Sequence, residues 1–183
     1  MFSSFTTYAC KNCGCRADKK NETEHKHEND SHSHANVDLT ESLVYWKGTK
    51  LTGSHEGTID LLSAHLHFNE KVFEGGEIII DMNTINCTDL SGDSKKNIEG
   101  HLKSADFFFI EDFSSSKLVM KNVKKIGMDT YEIEGDMTIR GVTNSIKFKA
   151  KISDGKASAK IKIDRTKYGV KYASKSFFKN IGD

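Results

Sequence analysis

Between Thr130 and Asp164 apolar residues recur at every second position, in three successive runs. In "YEIEGDMTI", Tyr131, Ile133, Met137 and Ile139 fall on one side and Glu132, Glu134, Asp136 and Thr138 on the other. In "IKFKAKI", Ile146, Phe148, Ala150 and Ile152 alternate with three lysines, and in "ASAKIKID", Ala157, Ala159, Ile161 and Ile163 alternate with Ser158, Lys160, Lys162 and Asp164. A period of two gives a strand one dry and one wet face. "RGVTNS" and "SDG" lie between the runs and supply glycine turns, so the pattern predicts an antiparallel meander.

The upstream runs "LVYWKGTKL", "EGTIDLL", "AHLHFNE" and "GEIIIDMNTI" also carry β-branched or aromatic residues between polar breaks. The chain has no proline and 14 glycines, so its turns must rely on Gly, Asn, Asp and Ser. Many short antiparallel strands separated by such turns predict an all-β sandwich or barrel. One stretch breaks the pattern. In "SGDSKKNIEGHLKSADFF", Ile98, Leu102 and Ala105 form one apolar stripe at helical spacing. Ser91 or Asp93 could cap this helix, and Gly100 weakens it by about 1 kcal/mol relative to alanine.

Phe107, Phe108 and Phe109 follow at once, with Ile110 and Phe113 close behind. A strand with one wet face would point the middle ring into solvent. Helix and triplet are therefore expected to lie across one end of the barrel. There the rings either serve different layers or simply seal the end, each buried ring contributing roughly 1.5–3 kcal/mol.

Residues 1–36 read differently from 37–183. "KNCGCRADKKNETEHKHENDSHSHAN" is polar and histidine-rich and has no apolar period, so it is expected to be a disordered tether. Cys10, Cys13 and Cys15 cluster there and Cys87 stands apart in the body, which is no disulfide framework. Lys+Arg is 27 against 26 for Asp+Glu, a balance that gives no reason to expect a nucleic-acid partner. No run of about 18 apolar residues predicts a transmembrane helix.

Five segments in order carry a resemblance: "GSHEGTI" (53–59), "GGEIIIDMNTI" (75–85), "GHLKSADFF" (100–108), "GDMTIRGVTNSIKF" (135–148) and "IDRTKYGV" (163–170). Together they resemble the YceI-like family, the lipocalin-like polyisoprenoid-binding proteins of bacteria, over about residues 38–183. The resemblance implies an antiparallel eight-stranded lipocalin-like barrel with a helix and lid excursion. It also implies an apolar channel for a polyisoprenoid or other long-chain lipid, no cofactor, and a periplasmic or secreted location. An eight-stranded barrel is wide enough for one slim ligand.

The inward faces supply the wall candidates Ile133, Met137, Phe148, Ile161 and Ile163. The lid adds Ile98, Leu102, Phe107 and Phe108; Trp46 and Tyr168 are further candidates. For each, ordinary core packing is the plainer alternative. His101 would orient a head group or satisfy a backbone carbonyl. The chain departs from the family pattern twice. "FSSSKL" stands where a Tyr-Pro pair is common, and the chain stops at "NIGD" where relatives carry one further strand. Either the chain is a fragment whose barrel lacks its last strand, which is the favoured expectation, or the barrel closes differently.

Other chemistry has weaker support. His25, His27, His32 and His34, with the upstream cysteines, are of the type that binds zinc or copper, but their spacing matches no closed zinc site. Ala9 before Cys10 resembles a lipoprotein signal, so Cys10 would be an acylated membrane anchor. The preceding apolar stretch is short for such a signal. His65 and His67 share a strand face and could pair on a metal, or simply form its wet side. His55 beside Glu56 could suggest acid–base work, yet no nucleophile or oxyanion motif accompanies them. Arg165 is expected at a strand edge, paired with a carboxylate. A non-enzymatic lipid binder is the leading expectation. The rivals are a metal-binding stress protein acting through its tail and an enzyme on the same barrel. Deleting residues 1–36 is expected to spare lipid uptake and abolish metal uptake. Oligomeric state is left open.

Overall fold

The structure is a computed structural model that describes residues 2–6, 32–50 and 53–170. Its antiparallel strands are β1 (Phe2–Thr6), β2 (His32–Asn36), β3 (Leu43–Lys50), β4 (Gly53–Ile59), β5 (Leu61–Asn69) and β6 (Val72–Asp81), followed by β7 (Asn86–Cys87), β8 (Ser115–Lys125), β9 (Thr130–Ile139), β10 (Val142–Ser153) and β11 (Lys156–Lys160). They form one sheet in the order β2-β5-β6-β8-β9-β10-β11-β1-β3-β4-β7. The sheet curls, so Val44 on β3 and Leu66 on β5, far apart in that order, face a common interior with β9 and β10. The fold class expected from the sequence, an antiparallel barrel-like sheet with one helical excursion, is the fold observed.

The meander follows the alternation. Tyr131, Ile133, Met137 and Ile139 are buried along β9, and Phe148 and Ala150 along β10. Arg140 and Gly141 join β9 to β10 with φ of 52° and 71°, and Asp154 and Gly155 join β10 to β11 with φ of 51° and 70°. Two consecutive left-handed residues make the turn whose twist suits a two-residue hairpin.

The alternation outruns the last strand. β11 ends at Lys160, although the sequence pattern continues to Asp164. The Asp164 carboxylate accepts hydrogen bonds from the Thr166 backbone N–H (3.0 Å) and hydroxyl (2.7 Å) and caps a 3-10 turn, Arg165–Tyr168, that takes the backbone off the ladder. Helix α1 (Gly92–Lys103) is likewise shorter than its apolar stripe. The Ser104 N–H donates to the Gly100 and His101 carbonyls and ends it, leaving Ala105 exposed; only Ile98 and Leu102 face inward. Ser91 holds the N-cap position, but its side chain makes no capping bond.

The stretch expected to be a tether contributes two strands. β1 pairs with both β11 and β3, and β2 pairs with β5. Sheet edges offer unpaired N–H and C=O groups, which short polar segments can satisfy despite a weak apolar pattern. A deletion of residues 1–36 thus removes sheet as well as tail. Cys10, Cys13, Cys15, His25 and His27 lie outside the described residues.

Candidate functional site: an apolar cavity inside the sheet

Inward-facing residues of seven strands enclose a narrow cavity with ≈ 60 Å³ open to the centre of a water-sized sphere. One water needs about 10–15 Å³ by that measure, so the space is several waters in size. Among the described residues every lining residue except Ser158 is apolar. A hydrocarbon-walled space offers water no hydrogen-bond partners, and such cavities stay dry. β6 contributes Phe73, Ile78 and Ile80 to the lining. Among the described lining residues none is charged, so the site is apolar and without charge.

All five wall candidates taken from the meander, Ile133, Met137, Phe148, Ile161 and Ile163, line this cavity. Ile161 and Ile163 do so from the extended segment beyond β11. The sequence reading did not single out the opposite wall: Ile78 and Ile80 on β6, Leu118 and Met120 on β8, and Leu66 on β5. "EIIIDM" and "KLVMK" do alternate there, but three consecutive isoleucines hide which face is inward.

The other six candidates do not line the cavity. Trp46 is buried on β3, where its Nε1–H donates to the Thr58 carbonyl at 3.2 Å. Its ring packs against Gly57, where a Cβ would stand 2.8 Å from Trp46 Cζ2 and 1.9 Å from the Asn86 carbonyl oxygen. Tyr168 is 2% exposed at the end of the 3-10 turn, and its hydroxyl has no hydrogen-bond partner among the described residues. Burial raises its pKa. Leu102 is buried under α1, with Ile98 half-buried beside the core.

Phe107 and Phe108 are half-buried and packed against the core from outside the cavity. Their rings meet edge to face at 4.7 Å, and His101 meets Phe107 at 5.5 Å. His101 thus belongs to the aromatic turn and is not at a cavity wall. Phe109 instead pairs with Phe113 at 6.0 Å, and Phe113 fills the space where Gly141 has no side chain. The rings divide into two layers. Arg140 spans both: its Nη1 donates to the Phe107 carbonyl at 3.0 Å and its guanidinium lies over Phe109. Arg165 does not sit at a strand edge. Its Nη1 donates to the Val170 carbonyl at 2.9 Å and its guanidinium lies over Phe107.

The structure gathers one polar cluster that the sequence reading missed. His55 Nδ1 lies 3.0 Å from Asp89 Oδ2, the Cys87 thiol donates to Asp89 Oδ1 at 3.0 Å, and the Glu56 N–H donates to the same oxygen at 3.2 Å. These bonds, the thiol's first, hold the Asp89 carboxyl down at about 2. Cys87 is 0% exposed, and burial with the adjacent carboxylate pushes its thiol up. A nucleophilic sulfur needs its base in contact and its thiolate favoured. Here a carboxylate stands between sulfur and imidazole and disfavours the thiolate, so the cluster works as a clamp between β4 and β7. The signal for it was weak: His55 and Asp89 are 34 residues apart and carry no motif.

His65 and His67 are both exposed on β5. Among the described residues no three His, Cys, Asp or Glu side chains are gathered around a common point, and no helix is long and apolar enough to cross a membrane.

Comparison with known proteins agrees with this geometry. The model of the YceI-like domain matches residues 30–183. A UPF0312 protein of Pseudomonas putida is 29% identical over 110 residues, covering 60% of this chain and 55% of that relative. One of Pseudomonas fluorescens is 28% identical over the same length. The chain thus spans about half the length of the curated relatives it matches. Among solved structures, BcnA of Burkholderia cenocepacia superposes with a TM-score of 0.65 at 17% identity, over 75% of this chain and 87% of that one. That likeness is one of fold.

Proposed function

The chain belongs to the YceI-like family, and from that premise we propose that it binds the chain of an isoprenoid or other long-chain lipid in the cavity of its curled sheet. One observation carries this reading: the cavity between the curled strands is walled almost wholly by hydrocarbon. Each CH₂ group moved from water into such a wall gains about 0.8 kcal/mol, so a chain of many such groups needs no polar contact to be held. Ser158 is the one lining residue with a side-chain hydroxyl, so a polar head group belongs outside the cavity. The reading is binding and carriage or sequestration, without catalysis.

The proposed place of action is the cell envelope, periplasmic or secreted, with Cys10 as an acylated anchor; processing to an N-terminal Cys10 would remove β1, and the sheet would then close without that strand. Mass spectrometry of the native protein tests the anchor directly: an unmodified Cys10 removes it. The ligand is tested by organic extraction of purified full-length protein and mass spectrometry of the extract. One molar equivalent of a long-chain lipid is expected. Recovery of none, together with no uptake of added polyprenol, overturns the reading.

A further inference from the structure

The outer face of the sheet carries a second feature, which is unrelated to the cavity. His34 on β2 and His67 on β5 stand directly opposite each other in the ladder. Both are exposed. Their rings meet at 4.7 Å between centroids, with planes 77° apart. Two imidazoles on one tetrahedral ion, with Zn–N of about 2.0–2.1 Å, hold their ring centres about 5 Å apart. The pair already has nearly that spacing.

The register places more imidazole nearby. His65 lies two residues before His67 on β5 and is exposed with it, as the period of a strand requires. His32 lies two residues before His34 in β2, opposite Asn69. Two His-X-His runs are thus brought side by side on adjacent antiparallel strands. On the other side of His67 its ladder partner is Gly75, which has no side chain to crowd the ring. Glu77, opposite His65, is engaged by Lys117 at 3.0 Å.

We propose that His34 and His67 are the primary ligands of a divalent transition-metal site of the zinc and copper class. His65 turns in as a third ligand and water completes the shell. Imidazole is the donor these ions share, and three histidines with one open position form a known zinc arrangement. The site has a structural consequence. Among the described residues β2 is an edge strand paired with β5 alone, and Val37, immediately after it, lines the cavity. An ion bridging His34 and His67 pins this strand, and with it one part of the cavity wall.

The test uses full-length protein in which Cys10, Cys13 and Cys15 are replaced by serine and His25 and His27 by alanine, so that these other potential ligands do not contribute. Zinc chloride is titrated calorimetrically, and copper(II) is added in substoichiometric amounts while the imidazole resonances are followed by NMR. One saturable zinc equivalent in the micromolar range is expected, with the His34 and His67 ring signals broadened first. Losing even a partner of a metal ligand costs about 10–100-fold in affinity. His34→Ala and His67→Ala should each weaken zinc by at least about tenfold, with circular dichroism unchanged because both positions are exposed. Zinc should also slow amide exchange in β2. No saturable binding, or unchanged binding in the His34→Ala/His67→Ala double variant, overturns the proposal. Neither readout depends on lipid, so the lipid reading stands or falls separately.

Discussion

Ala150→Leu tests whether the cavity is real space with a use. Ala150 is 6% exposed, lies on β10 between Ala159 and Tyr131, and lines the cavity. Leucine adds three carbons. If they enter empty, dry space, burial contributes up to about 2.4 kcal/mol, less about 0.5–1 kcal/mol for the immobilised side chain. The lipid-free protein should gain about 1.5 kcal/mol, which for a chain of this size raises Tm by roughly 3–6 °C. The same carbons occupy the ligand's path, so uptake of a polyprenol or fluorescent fatty-acid probe should fall. Calorimetric scanning of delipidated protein and a probe titration read the two effects. The reasoning fails if Tm drops, since overpacking a solid core costs about 1–3 kcal/mol, or if Tm rises while probe uptake is unchanged.

Three further perturbations address what surrounds the cavity. Trp46→Ala should cost about 3–5 kcal/mol in urea unfolding, yet leave lipid stoichiometry unchanged in the folded fraction, because Trp46 lies outside the lining. Gly57→Ala should destabilise by more than the about 1 kcal/mol of an average substitution, since its Cβ would collide with the Asn86 carbonyl, which is backbone and cannot move aside; urea midpoints measure it. Asp89 has a folded pKa depressed from 3.8 to about 2. Its contribution is therefore complete above the unfolded value and is lost as pH falls from about 4 through 2. Over that interval the urea midpoint of the wild type should fall more steeply than that of Asp89→Asn.

The sequence made the meander legible because β9 and β10 each have one wet face. Charged residues at alternate positions, such as Glu132, Glu134, Lys147 and Lys149, mark the outside. The same alternation exposed the five wall residues that line the cavity. It failed where burial does not alternate. Ile78, Ile79 and Ile80 read alike, although Ile79 is only half-buried and its two neighbours are buried. It overreached only in strand length: past Lys160 the ladder stops, although Ile161 and Ile163 still face the cavity, and Asp164 then caps a 3-10 turn. β1 and β2 were invisible because their stability comes from the edges they cover and not from their own apolar content. The His55–Asp89–Cys87 clamp was invisible because register, which no local pattern encodes over 34 residues, brings it together.

The aromatic run shows why the candidate list divided between cavity and packing. Phe107, Phe108 and Phe109 are all half-buried, so the triplet neither forms a strand nor fills the interior. It sits in a turn, with Phe109 at φ of 52°. A non-glycine residue in that region costs about 1–3 kcal/mol and persists only when its surroundings hold it. The Arg140 bond to the Phe107 carbonyl and the Phe109–Phe113 contact supply that hold. Arg140 itself has φ of 52° in the β9–β10 turn, so two strained backbones are braced by one guanidinium. Arg140→Ala removes a charged hydrogen bond of about 1.5–3 kcal/mol and a cation–π contact together, so it should loosen both turns at once. Faster amide exchange at Phe109 and at Val142, with unchanged protection in β6, would show the brace. Exchange altered in the 107–113 turn alone would mean that the two turns are held independently.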